Sequence, residues 1–144
     1  YLAGMGPHGL REVAELCYHK ARYAAAQLAA VPGCSVNGQA ATTPAAPANV
    51  AGPADNTEAT PDSSAATTPG PPFFREFLLQ VPLPAEELIR RAGHTDLIPG
   101  VALSRYYPER RNELLVAVTE SVPRAKIDRM VAVVREVVTE AGRE

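Results

Sequence analysis

The chain has 144 residues with 14 basic and 16 acidic side chains, two cysteines, no tryptophan and 14 prolines, which is one domain's worth of material. A charge this close to balance removes the electrostatic case for nucleic acid or an anionic membrane as the main partner, and no apolar run approaches the roughly 18 residues that a membrane span needs. Cys17 and Cys34 are too few for a disulfide scaffold, so a reducing cytoplasm is the expected compartment. The chain opens at Tyr1 without Met and without a charged-then-apolar leader, and it reads as a piece of something longer.

Taken in order, Leu10, Val13, Ala14, Cys17, Ala21, Ala24, Ala25 and Leu28 repeat at i, i+3, i+4 and i+7, with Arg11, Glu12, Glu15 and Arg22 opposite. This spacing predicts an amphipathic helix of about six turns, stopped at Pro32 and Gly33. A short strand is expected around Cys34 to Val36. Asn37 to Pro72 is Ala, Thr, Pro, Gly, Ser and Asp, holds half of the prolines and carries only Asp55, Glu58 and Asp62 as charges. It has too little apolar surface to offset the entropy of ordering, and is expected to be a flexible insertion within one domain. The flanks together amount to about 108 residues, so neither holds a full-sized core by itself.

Beyond the insertion, Phe77, Leu79 and Val81 share one face of a predicted strand, with Glu76 and Gln80 on the other. Pro84, Glu86 and Glu87 mark the start of a short helix whose apolar positions are Ala85, Leu88, Ile89 and Ala92. A strand is expected over Val101 to Tyr107, ended by Pro108. The run Glu113 to Thr119 reads as a central strand covered on both faces. Ile127, Met130, Val131, Val134, Val137, Val138 and Ala141 form the buried stripe of a last helix over about Pro123 to Ala141. The predicted class is α+β, with helices packed on one face of a small, mainly antiparallel sheet.

Several patterns invite a chemical reading. Gly4-Met5-Gly6-Pro7-His8-Gly9 fits GxGxxG, but only three residues precede Gly4 here, where the fingerprint needs a strand, and Ala24 to Ala30 holds no acid for a ribose, so it reads as a lead-in to the first helix. His19-Lys20 resembles the way some pyridoxal-phosphate enzymes present a Schiff-base lysine. Lys20 and Lys126 are the only lysines, and Lys20 lies off the buried stripe, where water keeps an amine protonated. Cys17 reads as a small core hydrophobe. Cys34, His8, His19 and His94 have no metal-ligand spacing, so no metal site is expected. Arg105-Tyr106-Tyr107-Pro108, followed by Arg110 and Arg111, is the densest polar and aromatic cluster. Glu109 and Glu113 spoil it as a nucleic-acid patch. As a carboxylate or phosphate clamp, a guanidinium offers planar two-point contact and a phenol can stack or donate, and an ordinary strand end with surface arginines is an equal reading of the same residues. No catalytic residue is assigned, and Arg105, Tyr106 and Tyr107 are the candidates for lying near a substrate or cofactor.

Several segments together resemble one family. Gly9 to Leu16 within Tyr1 to Lys20, then Pro72-Phe73-Phe74-Arg75-Glu76-Phe77, Leu103-Ser104-Arg105-Tyr106-Tyr107-Pro108-Glu109, Asn112 to Glu120, and Ile127-Asp128 are similar, in this order, to the C-terminal domain of glycine dehydrogenase (decarboxylating) subunit 1, the P-protein of the glycine cleavage system. The resemblance implies the small C-terminal domain of a fold type I pyridoxal-phosphate enzyme, with the large domain upstream. It implies pyridoxal phosphate in the assembled enzyme, its Schiff-base lysine on the partner subunit 2 in an expected heterotetramer, and a reaction that decarboxylates glycine and passes the aminomethyl group to lipoyl H-protein. The fragment alone is expected to bind no cofactor and to be inactive. The sequence departs from the family at the long insertion after Val36. Two other readings of the same elements are a stand-alone ferredoxin-like small-molecule-binding module and the small domain of another aminotransferase-like enzyme.

Overall fold

The computed structural model describes residues 2–38, 72–95 and 97–143. Most of the segment expected to be a flexible insertion, residues 39–71, lies outside the described residues. Three helices, α1 (Leu2–Ala29), α2 (Ala85–Ala92) and α3 (Arg124–Ala141), pack on one face of a sheet built from β1 (Ser35–Val36), β2 (Glu76–Gln80), β3 (Val101–Ala102) and β4 (Glu113–Ala117). The strand order is β1-β2-β4-β3 and every neighbouring pair is antiparallel. Among the described residues the run helix, strand, strand, helix, strand, strand, helix differs from the βαββαβ order of a ferredoxin-like module. Among the described residues no helix is long and apolar enough to cross a membrane.

β2 and β4 form the centre, with Phe77 opposite Val116 and Leu79 opposite Leu114. All four side chains are buried, because alternate residues of a strand point to one face and here that face carries the helices. β1 pairs with β2 through Val36 and Leu79 although residues 39–71 separate them in the chain, and the backbone N–H of Asn37 donates to Leu78 O at 2.8 Å while Leu78 N–H donates to Asn37 Oδ1 at 2.9 Å. Both flanks of the interruption therefore share one sheet and one core, which runs from Ala21 to Val138.

The helices follow their sequence signals with two exceptions. In α2, Glu87 near the N-terminus accepts from Arg91 Nε at 2.9 Å and Arg90 Nη2 at 3.2 Å, the i, i+3 and i, i+4 geometry that supports short helices. α3 buries Ile127, Val131, Val134, Val137 and Val138 as expected, and Val133 in addition, whereas Met130 and Ala141 of the expected stripe are only partly buried. α1, however, is broken at Gly6, which sits at φ 62° and ψ −179° and is followed by Pro7. Only the half of α1 from Cys17 onward is buried. Leu10 is 42 % exposed, and Val13 and Ala14 are half-buried.

Two strands differ from their predicted form. β4 is covered on one face only: Leu114 and Val116 point to the helices while Leu115 and Ala117 are exposed, so the continuous apolar run reflects a cross-strand pair on the open face, Leu115 beside Val101, rather than a second covering layer. The strand expected over Val101 to Tyr107 ends at Ala102. Ala102 and Leu103 are both buried, and two successive inward side chains break the two-residue period, so the chain turns into a 3₁₀ segment, Leu103–Arg105. Gly100 enters this edge so close to β4 that a Cβ there would lie 2.6 Å from Leu115 O.

Candidate functional site

The Arg105 cluster sits on that turn. Leu103 anchors it in the core, and its carbonyl accepts from the backbone N–H groups of both Tyr106, at 2.9 Å, and Tyr107, at 2.8 Å. Tyr107 O in turn accepts from Arg110 N at 2.9 Å. Two consecutive N–H groups held on one carbonyl bring Arg105, Tyr106 and Tyr107 onto one exposed knuckle, with Tyr106 71 % and Tyr107 53 % accessible. The correction to the sequence reading is one of backbone: Arg105 belongs to a turn and not to a strand. None of the three makes a side-chain hydrogen bond, ion pair or ring contact with another described residue.

The flanking arginines point elsewhere. Arg110 forms an ion pair with Glu113 at 3.4 Å and lines an open depression of about 270 Å³ with Asn37, Leu78 and Gln80. Arg111 lines a second one, of about 360 Å³, with Pro84, Glu86, Ser104 and Pro108. There Ser104 Oγ donates to Glu86 Oε1 at 3.1 Å, and Arg111 O accepts from Ala85 N at 2.8 Å, which ties the start of α2 to the loop before β4. The cluster that is contiguous in sequence is thus divided in space. Arg105 and the two tyrosines present a guanidinium and two phenols outward, while Arg110 pairs with Glu113 and the Arg111 backbone ties the loop to α2.

A second constellation carries no signal in the sequence, because its members are about a hundred residues apart. Glu120, in the loop between β4 and α3, accepts from the Cys17 thiol at 3.2 Å, and its backbone carbonyl accepts from Lys20 Nζ. Burial, followed by the hydrogen bond to Glu120, raises the Cys17 pKa above its ordinary value, and the same hydrogen bond is the main reason that the Glu120 carboxyl lies below its own. The arrangement favours thiol beside carboxylate, so Cys17 is a donor and not a nucleophile. Lys20 is half-buried and engaged, where the sequence pattern predicts a solvated amine. One helical turn further on, Tyr23 donates to Asp128 Oδ1 at 2.6 Å, and Arg124 lies 4.6 Å from the Tyr23 ring centroid, so α1 is tied to both the loop and α3. Burial alone pushes the Cys34 thiol up to about 11.

These residues do not by themselves fit a pyridoxal-phosphate site. Lys20 is tied to a backbone carbonyl, and Lys126 is exposed in the first turn of α3, at the rim of an open apolar depression formed by Ile98, Val101, Leu115 and Met130. Neither has the enclosed, desolvating surroundings that turn an amine into a nucleophile. Among the described residues no group of three or more His, Cys, Asp and Glu side chains is arranged to hold a metal ion.

No family model matches the chain. Among curated proteins, one from Moorella thermoacetica, named probable glycine dehydrogenase (decarboxylating) subunit 1, is 36% identical over 137 residues, covering 94% of this chain and 23% of its own length. Proteins of the same name from Thermomicrobium roseum and Chlorobium limicola are 32% and 34% identical over 136 and 131 residues. A crystal structure of glycine decarboxylase (P-protein) of the glycine cleavage system, in inhibitor-bound form, superimposes with a TM-score of 0.64 at 26% identity, covering 95% of this chain and 24% of that one. Over nearly its whole length the chain is similar to one segment of proteins named glycine dehydrogenase (decarboxylating) subunit 1. It spans about a quarter of the length of these relatives.

Proposed function

We propose that the chain acts as the small C-terminal domain of subunit 1 of a two-subunit glycine decarboxylase, with a large pyridoxal-phosphate-type domain upstream. On this reading residues 1–144 are one domain interrupted at 37–72. The assembled enzyme decarboxylates glycine, passes the aminomethyl group to lipoyl H-protein, and works in the cytoplasm. The observation that carries the reading is the agreement of sequence and fold over nearly the whole chain: 36% identity across 94% of it and a TM-score of 0.64 across 95%. On this reading the Schiff-base lysine lies on subunit 2, in a heterotetramer, and this segment, whose Lys20 and Lys126 lack the surroundings of a nucleophile, contributes shape and contacts while the cofactor supplies the electron sink.

Within that assembly Arg105 is the side chain with a chemical role to offer, and Tyr106 and Tyr107 flank it. A guanidinium with no side-chain partner among the described residues binds a substrate carboxylate or cofactor phosphate through two parallel hydrogen bonds, a geometry that lysine cannot reproduce. The test places this chain in the position of the 137 matched residues of the Moorella thermoacetica subunit, with subunit 2 and H-protein present, and measures glycine–bicarbonate exchange. Exchange is expected, and Arg105→Lys should reduce kcat/KM for glycine nearly as much as Arg105→Ala, by about ten-fold to a hundred-fold. Assembled protein without exchange would refute the functional reading. Wild-type rates in both variants would return the knuckle to an ordinary surface turn.

A further inference from the structure

Glu86 and Arg111 bring opposite charges to one place without pairing. Ala85 N–H donates to Arg111 O at 2.8 Å, so the backbone positions of Glu86 and Arg111 are each within one residue of a shared hydrogen bond. Both side chains line the depression of about 360 Å³ between the start of α2 and the loop before β4. Glu86 Oε1 accepts from Ser104 Oγ at 3.1 Å, its one side-chain partner among the described residues, and the Arg111 guanidinium has none there. Both residues are exposed, and an exposed ion pair gains little over two hydrated charges, so the space between them stays open. The rest of the depression suits a small molecule. Pro84 and Pro108 line it with rings fixed to the backbone, an apolar and rigid surface. Its volume lies at the low end of the range, roughly 300–1,000 Å³, that small-molecule sites occupy. Its five lining residues fall far short of the roughly 20–30 a side of a standard protein interface.

A ligand that matches this lining has a cation for Glu86, a carboxylate for the planar fork of Arg111 and a short apolar body for the proline rings. An α-amino acid carries all three on one carbon. We propose that the depression binds a free α-amino acid with a small aliphatic side chain, its carboxylate on Arg111 and its ammonium on Glu86. Ser104 acts through Glu86 as a positioning residue, since its hydroxyl fixes the carboxylate that receives the ammonium. The site goes beyond the proposed reaction. It is built from this chain alone and includes none of Arg105, Tyr106 and Tyr107, although Ser104 and Pro108 bound that knuckle on either side.

The test titrates L-leucine into the chain and follows amide chemical shifts. Saturable shifts are expected at Glu86, Ser104 and Arg111. Isoamylamine and isocaproate, each of which is leucine without one charged group, should bind at least about ten-fold more weakly, because each forfeits one charge-assisted hydrogen bond. Glycine, with both charges and no side chain, should also bind more weakly than leucine. Glu86→Gln and Arg111→Met should each weaken leucine by at least about ten-fold, and Arg110→Met should leave it unchanged. Ser104→Ala should weaken leucine and leave isocaproate unaffected, a split that general loosening of the fold would not produce. Absence of saturation up to the solubility limit of leucine overturns the proposal. So does an amine or a carboxylate that binds as tightly as leucine, or leucine binding that survives both Glu86→Gln and Arg111→Met. The analogue series is read on the wild-type chain, so the outcome does not depend on any variant folding.

Discussion

The two halves of α1 carry one apolar period and meet two different environments. From Cys17 to Leu28 the stripe is buried against β1, β2 and α3, with Ala21, Ala24 and Leu28 wholly inaccessible. From Leu10 to Ala14 the same spacing faces open space or is half-covered. The small residues of the second half explain part of the difference, since alanines let the helix approach the sheet and α3 closely, and the polar ties of Lys20 and Tyr23 pin that half in place. A helical period therefore states which face needs a partner and leaves open what that partner is.

The strongest way to break the contrast is to truncate one residue from each half. Leu28→Ala removes a side chain with no exposed surface and should cost roughly 2–5 kcal/mol in urea unfolding of the chain, whereas Leu10→Ala should stay within about 0.5 kcal/mol. Similar losses at both positions would mean that the first half is covered in the isolated chain. Gly100→Ala tests the other close approach. Its Cβ would lie 2.6 Å from a backbone carbonyl that cannot swing aside, so about 1–3 kcal/mol of stability should be lost, with increased exchange at Leu115 as the local readout.

Smaller effects sharpen the picture of how the second half is held. Lys20→Met keeps the apolar stem and removes the bond to Glu120 O, and should cost about 0.5–1.5 kcal/mol. The same change at Lys126, which is exposed and has no ion pair with another described residue, should be nearly neutral. The pH dependence of Cys34 is the finest probe. Its thiol pKa is raised by burial from 9.0 to about 11, so between those values the unfolded chain loses a proton that the folded chain keeps, and stability falls as pH rises. The difference in stability between wild type and Cys34→Ala should shrink from pH 8.5 to 11. A difference that stays constant would place Cys34 in contact with water.

What the sequence disclosed follows the range of the interactions involved. α2, α3 and the alternation of β2 are legible because capping charges, helical spacing and two-residue alternation are local. The early end of β3 was hidden because its cause is the burial of Leu103 behind α2, a tertiary demand that overrides a strand-like run of residues. Leu115 reads as core in sequence and stands on the open face because its cover is one neighbour, Val101, across the register. The Arg105 cluster was visible as composition, but the outward knuckle, the Arg110–Glu113 pair and the backbone tie at Arg111 depend on the turn. The Cys17–Lys20–Glu120 tie could not be seen at all, since nothing in a single sequence links residues a hundred positions apart.

The claim that one apolar period meets two environments is tested most directly by amide hydrogen exchange along α1 in the isolated chain. Residues 18–28 should exchange only with an opening whose free energy approaches that of global unfolding, and residues 8–14 should exchange at least about a hundred-fold faster. Uniform slow exchange from Gly9 to Leu28 would show that the first half is already covered, and would contradict the account.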